Sequence, residues 1–159
     1  MTFVLSTPSN LSLISDNDTW NLILRICFAA FVGSIIGLER QLHRKPAGLR
    51  THILVSVGAA LFTLIPLEIQ GLVPQADALS RIIQGISTGI GFLGAGEIVR
   101  ASTESQVTKI EVKGLTSAAA IWVSAALGIA AGCGLWRLGL IGAIATFIIL
   151  YVIKKWEIH

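Results

Sequence analysis

From residue 20 to residue 153 the chain is a succession of apolar runs, each close to the length a helix needs to cross a bilayer, separated by short polar breaks. About 20 apolar residues in a helix cover the roughly 30 Å of hydrocarbon. Backbone N–H and C=O groups in hydrocarbon must be satisfied internally, so such runs become helices or nothing stable. The runs cover about 20–38, 51–69, 78–99, 115–135 and 138–153. They predict an all-α membrane protein with about five transmembrane helices. Residues 1–18 read as a polar extracytoplasmic tail, 19–153 as the transmembrane domain and 154–159 as a short cytoplasmic tail. The N-terminus has no basic stretch before its apolar residues, so a cleaved signal peptide is not expected. Only 13% of residues are charged, about half the proportion of a soluble domain.

Orientation follows from where the cations fall. The break after Glu39–Arg40 holds Arg40, Arg44, Lys45 and Arg50; the break after the third run holds Arg100, Lys109 and Lys113; the tail holds Lys154 and Lys155. That places nine of the 12 basic residues on one side, so this side is predicted cytoplasmic and the N-terminus outside. The net charge of +3 then reflects topology and anionic headgroups, not nucleic acid. Trp136 and Trp156 bracket the fifth run as an aromatic belt would.

The first two runs can be laid over the next two. Arg25 aligns with Arg81, Glu39-Arg40 with Glu97…Arg100, Gly48-Leu49 with Gly114-Leu115, and Val55-Ser56 with Val123-Ser124. This suggests a tandem repeat of a helical hairpin followed by one further helix, an arrangement in which sites tend to lie at the repeat interface.

Ionisable residues in a span are costly and are functional candidates by default. Arg25 and Arg81 lie near the outer ends of their spans, where they either snorkel or pair with Asp18, Glu68 or Asp77. At the inner ends Glu39, Arg40, Arg50, His52, Glu97 and Arg100 are placed to form a cytoplasmic polar cluster, or a ring of charges closing helix ends. Gly33 and Gly37 make a GxxxG, as do Gly85 and Gly89, and both suit close helix packing. Gly89-Ile-Gly91-Phe-Leu-Gly94 also matches a dinucleotide fingerprint, but no strand precedes it. The alternative to packing is a break near Gly91, Gly94 and Gly96 that opens a cavity lined by Gln84, Ser87 and Thr88. The fourth run is small-residue-rich on all sides and should sit centrally, with the Trp122 indole N–H bonded to an acceptor in the third span. No catalytic residues emerge: there is no nucleophile–base pair, no HExxH and no P-loop. Glu39 and His43, four apart, are too few for a metal site, so neither a metal nor a cofactor is expected.

The strings Gly37-Leu-Glu-Arg40, Lys45-Pro-Ala-Gly-Leu-Arg-Thr-His52, Gly89-Ile-Gly-Phe-Leu-Gly-Ala-Gly96 and Gly114-Leu-Thr-Ser-Ala-Ala-Ala-Ile-Trp122 together resemble the MgtC/SapB family, over about residues 20–153. The resemblance implies a bacterial inner (plasma) membrane protein of about five spans. It also implies a role in growth under magnesium limitation and in restraining the ATP synthase. It does not imply magnesium transport. Longer members carry a cytoplasmic ACT-like domain after the spans, so this sequence compares best with the short, SapB-like branch. The glycine string 89–96 is followed by Glu97 where an apolar residue often follows, and the string from Gly114 reads Thr-Ser where Thr-Thr is usual.

Two functional readings follow. One is a non-enzymatic regulator whose partners, beyond the lipid bilayer, are a second copy or a larger membrane complex such as ATP synthase. The other is a small ion or solute transporter with its site between the two hairpins, at Arg25, Arg81, Gln84 and Glu97.

Overall fold

The computed structural model describes residues 16–68, 75–103 and 114–153. They form α1 Asp16–Leu42, α2 Leu49–Glu68, α3 Gln75–Thr103, α4 Leu115–Gly132 and α5 Trp136–Ile148, and α5 runs on into a π-helical turn, Ile149–Ile153. The predicted tails, the loop expected after the second span and the basic residues Lys109, Lys113, Lys154 and Lys155 fall largely or wholly outside the described residues. Four helices, Thr19–Leu42, Leu49–Glu68, Ala76–Val99 and Leu115–Gly132, are long and apolar enough to cross a membrane. Trp136–Val152 is a shorter apolar helix. The chain is thus all-α, as its hydropathy predicts.

The helices overrun the apolar runs. α1 continues through Glu39 and Arg40 to Leu42, and α3 takes in residues 75–77, predicted as loop. Hydropathy marks where hydrocarbon should end, whereas a helix continues until a breaker stops it. The third span is a single continuous helix, which corrects the alternative of a break at Gly91–Gly96. Gly is permissive but does not by itself end a helix whose backbone has nowhere else to bond.

α4 is the centre of the bundle. In its span 56% of residues are buried, against 11% in α3. Small residues permit this: they let backbones approach on several faces. A Cβ at Gly128 would fall on the Ser56 carbonyl, and one at Gly132 would stand 2.8 Å from Thr63 Cβ and 2.9 Å from the Ala60 carbonyl. α1 grips the other side of α2. A Cβ at Gly33 would lie 2.8 Å from the His52 carbonyl, and one at Gly37 2.8 Å from Leu49 Cα. α2 is therefore held between two glycine faces. The apolar core (Val32, Ile36, Ala120, Leu127, Ala143 and Leu150) fills the space among α1, α4 and α5.

Each hairpin of the suggested repeat pairs its two helices, but unequally. α1 and α2 meet backbone to backbone, whereas at Gly94 an added Cβ would only touch Ala118 at 3.4 Å. Gly85, Gly89, Gly91 and Gly96 would meet nothing within 4 Å. Packing expected at these four glycines is not made among the described residues.

The ends of α1 and α4 are built alike. Leu135 N–H bonds the Ala130 carbonyl and Gly134 N–H the Ala131 carbonyl, with Gly134 left-handed at φ 72°. After α1, Lys45 N–H bonds the Arg40 carbonyl and Arg44 N–H the Gln41 carbonyl, with Arg44 left-handed at φ 49°. Both are Schellman motifs. Arg25 reinforces the first of them: its Nη1 donates to the Gly132 carbonyl at 2.8 Å and its Nε to Asn21 Oδ1 at 2.9 Å. The contact described is with a backbone carbonyl instead of Glu68 or Asp77. A cation at a helix C-terminus finds both unpaired carbonyls and the negative end of the dipole. Arg25→Ala is expected to cost about 1.5 kcal/mol, read as a lowered thermal midpoint in detergent. An unchanged midpoint would show that water replaces the guanidinium.

Candidate functional site

The polar residues that apolar surroundings tolerate least gather at the end where α1 passes into the basic turn. Glu39 and Arg40 close α1, and their side chains turn into the bundle instead of toward headgroups. Glu39 is 2% exposed, Arg40 3%, and His52, one turn into α2, 0%. α4 supplies Ser117 and Ser124, both buried. Arg40 Nη2 donates to Ser117 Oγ at 2.6 Å, and its Nη1 stands 3.7 Å from Glu39 Oε2. Glu39 and Glu97, the latter from α3, both act electrostatically on Arg40. His52 Nδ1 lies 2.8 Å from Ser124 Oγ, which itself donates to the Ala120 carbonyl at 3.0 Å. With that hydroxyl proton committed, Ser124 Oγ is left to accept from Nδ1–H, and the Ala47 backbone also lies within the imidazole's reach.

The cluster is only half satisfied. Both Glu39 carboxylate oxygens, Arg40 Nε, His52 Nε2 and Glu97 Oε1 are buried without a hydrogen-bond partner among the described residues. His43 comes nearest to Glu39: its Nδ1 is 2.9 Å from Oε1 and 2.9 Å from the Glu39 backbone carbonyl, and one proton serves only one of them. Tyr151, carried by the π-helical turn, presents its ring edgewise to His43 with centroids 6.5 Å apart. Unpaired buried polar atoms are costly, and in a membrane span they mark sites by default. Chemically the cluster holds two carboxylates, one guanidinium and an imidazole, so its carboxylate oxygens outnumber the cation set against them. No group of three or more potential metal ligands forms among the described residues.

Of the predicted inner cluster, Glu39, Arg40, His52 and Glu97 come together. Arg50 does not: it is exposed in the first turn of α2. The Arg100 side chain lies outside the described residues. Ser117 and Ser124 carry no sequence signal that separates them from the other small residues of the fourth run.

The outer candidates are dispersed. Arg25 is bound to the end of α4. Arg81 is exposed and lines an apolar groove of about 680 Å³ between α2 and α3, together with Gly58, Phe62, Gly85, Gly89 and Leu93. Gln84 is exposed and bonds Ser80 at 3.4 Å, and Thr88 bonds the Gln84 carbonyl at 2.9 Å. These contacts stay within α3, so the polar cavity expected around Gln84, Ser87 and Thr88 is not formed. Trp122 is 52% exposed on the side of α4 that faces α3, against Ile83, Ile86 and Ser87. The expected bond from its indole N–H to a third-span acceptor is not among the contacts of the described residues, and small residues on every side leave α4 one face that its neighbours do not close. Cys133 follows α4 and is a free, partly buried thiol.

Comparison with known proteins agrees with this architecture. The MgtC family model matches residues 26–158. SrpB of Synechococcus elongatus is 45% identical over 149 residues, 92% of this chain and 82% of its own length. YhiD of Escherichia coli is 40% identical over 146 residues, 86% of this chain and 62% of its own. MgtC of Salmonella typhimurium is 41% identical over 128 residues, 80% of this chain and 49% of its own. The chain thus spans about half of that MgtC and under two thirds of YhiD. No solved structure matches it. With a family model covering most of its length, and relatives above 40% identity aligned across its helical bundle, the chain belongs to the MgtC family.

Proposed function

We propose that the chain is a non-enzymatic protein of the bacterial inner membrane that works by helix–helix contact with a larger membrane complex. Its role in this reading is adaptation to magnesium limitation, and ATP synthase is the complex the family resemblance suggests. The observation that carries the contact reading is the groove between α2 and α3. Gly58, Gly85 and Gly89 line it, and a Cβ on any of them would meet nothing within 4 Å. Small residues in membrane helices serve close approach, and here the approaching helix is missing.

Filling the groove tests this. Gly85→Leu with Gly89→Leu adds bulk where the chain has none, so the bundle should fold as before while co-purification with ATP synthase falls at least tenfold. Low-magnesium growth of a deletion strain should then be restored by the wild type and not by the filled variant. Equal capture by both proteins would sink the reading.

A second reading is kept by one observation, the orphaned carboxylate oxygens of Glu39 and Glu97. YhiD carries the provisional name of a magnesium transporter, and an acceptor-rich buried cluster is what a cation pathway would use. Against it, Glu39, Arg40 and His52 are packed at 0–3% exposure. Saturable ion flux into liposomes containing only this protein, abolished by Glu39→Gln, would replace the first reading with the second.

A further inference from the structure

The turn joining α1 to α2 encloses a second, quite different groove. It has a volume of about 570 Å³, and its polar lining comes from Gln41, Lys45, Arg50 and Thr51 around Gly48. No carboxylate lines it among the described residues. Glu39 is the one acid between residues 39 and 52, and it is turned into the bundle beside Arg40 at 2% exposure. Lys45 and Arg50 are both exposed and make no ion pair among the described residues.

The remaining polar groups point the same way chemically. Gln41 Oε1 accepts the Leu49 N–H at 3.3 Å, which leaves its amide nitrogen as the free end, a donor. The first intrahelical bond at the start of α2 is His52 N–H to the Gly48 carbonyl at 3.2 Å. The N–H groups of Arg50 and Thr51 precede it and have no helical acceptor. Two cations, a hydroxyl, an amide and the positive end of a 20-residue helix therefore surround one concavity. The turn is also held in shape by the Schellman bonds of Arg44 and Lys45, at 3.0 Å each. Such a surface discriminates against cations and favours an oxyanion with several acceptor oxygens.

We propose that this groove binds the phosphate of an anionic phospholipid headgroup, gripped by Lys45 and Arg50. The lipid is chosen over a free phosphate by position. The groove lies between the ends of two membrane-length helices, on the side that holds nine of the 12 basic residues, where anionic lipid is the most concentrated phosphate source. This site is independent of the α2–α3 groove, and its failure would leave the contact reading untouched.

The test uses the full chain in detergent, where orientation in a membrane cannot bias the result. Native mass spectrometry would follow binding of phosphatidylglycerol, with phosphatidylcholine and inorganic phosphate as comparison probes. The wild type should prefer phosphatidylglycerol, weaken with added salt, and lose roughly thirtyfold in affinity in Lys45→Gln/Arg50→Gln. The charge-keeping Lys45→Arg/Arg50→Lys should restore most of it. Arg81→Gln, a cation removed from the α2–α3 groove, should bind as the wild type does. Equal binding by the Gln double variant, or equal loss in Arg81→Gln, would overturn the site. Displacement of the lipid by equimolar inorganic phosphate would overturn the lipid as its occupant.

Discussion

Gly128→Ala is expected to destabilise the bundle by about 3 kcal/mol or more, since its Cβ would make the tightest approach of any glycine among the described residues. The added Cβ falls on the Ser56 carbonyl, with the Ser56 carbonyl carbon and Cα behind it at 2.8 and 2.9 Å. Backbone cannot rotate away as a side chain can, so α2 and α4 must separate. Separation would open Gly132 against Thr63 and draw His52 from Ser124. Thermal unfolding in detergent, followed by size-exclusion chromatography, should show a lower midpoint and early aggregation. Gly58→Ala is the matched control on α2: its Cβ would meet nothing within 4 Å, so its midpoint should stay within experimental scatter. Equal behaviour of the two variants would mean that α2 and α4 do not meet as described.

Arg40→Ala is expected to cost about 3–5 kcal/mol, the usual penalty for removing one partner from a buried ionic group. The guanidinium is the cation set against Glu39 and Glu97 in the interior cluster. Without it two carboxylates remain in a low-dielectric interior, and the Ser117 hydroxyl loses its 2.6 Å partner. Neutralising the acids should help: Arg40→Ala with Glu39→Gln and Glu97→Gln should be more stable than Arg40→Ala alone. That non-additivity is the signature of a coupled group and is absent if the residues act independently. If the triple variant is no better than the single, the loss lies in packing, and the electrostatic account of the cluster fails.

How far the sequence speaks depends on what kind of neighbour a residue meets. Helix number and order follow from hydropathy, because hydrocarbon leaves the backbone no other option. Glu39, Arg40, His52 and Glu97 stand out since each is expensive where its run places it. Arg25 stands out equally, yet its partner is the Gly132 carbonyl, and a backbone acceptor has no letter in a sequence. The GxxxG pairs show the same limit. Gly33 and Gly37 face α2 at backbone distance, whereas Gly85 and Gly89 face open space. The motif says that a helix can be approached closely; it does not say what approaches. Ser117 and Ser124 are lost among the alanines of the fourth run, although they hold Arg40 and His52.

The bonds that tie the first hairpin to α4 have a consequence for how the chain is made. Arg40 reaches its hydroxyl partner 77 residues later, His52 reaches its own 72 later, and Arg25 finds its carbonyl after 107. A ribosome releases the chain from the N-terminus, so α1, α2 and the whole of α3 emerge before any of these partners exists. Until α4 arrives, a guanidinium and an imidazole wait without their final contacts, close to the membrane or within it. The nascent protein is thus most exposed to degradation between its second and fourth helices. A chain cut short in that interval would carry its own mark of incompleteness.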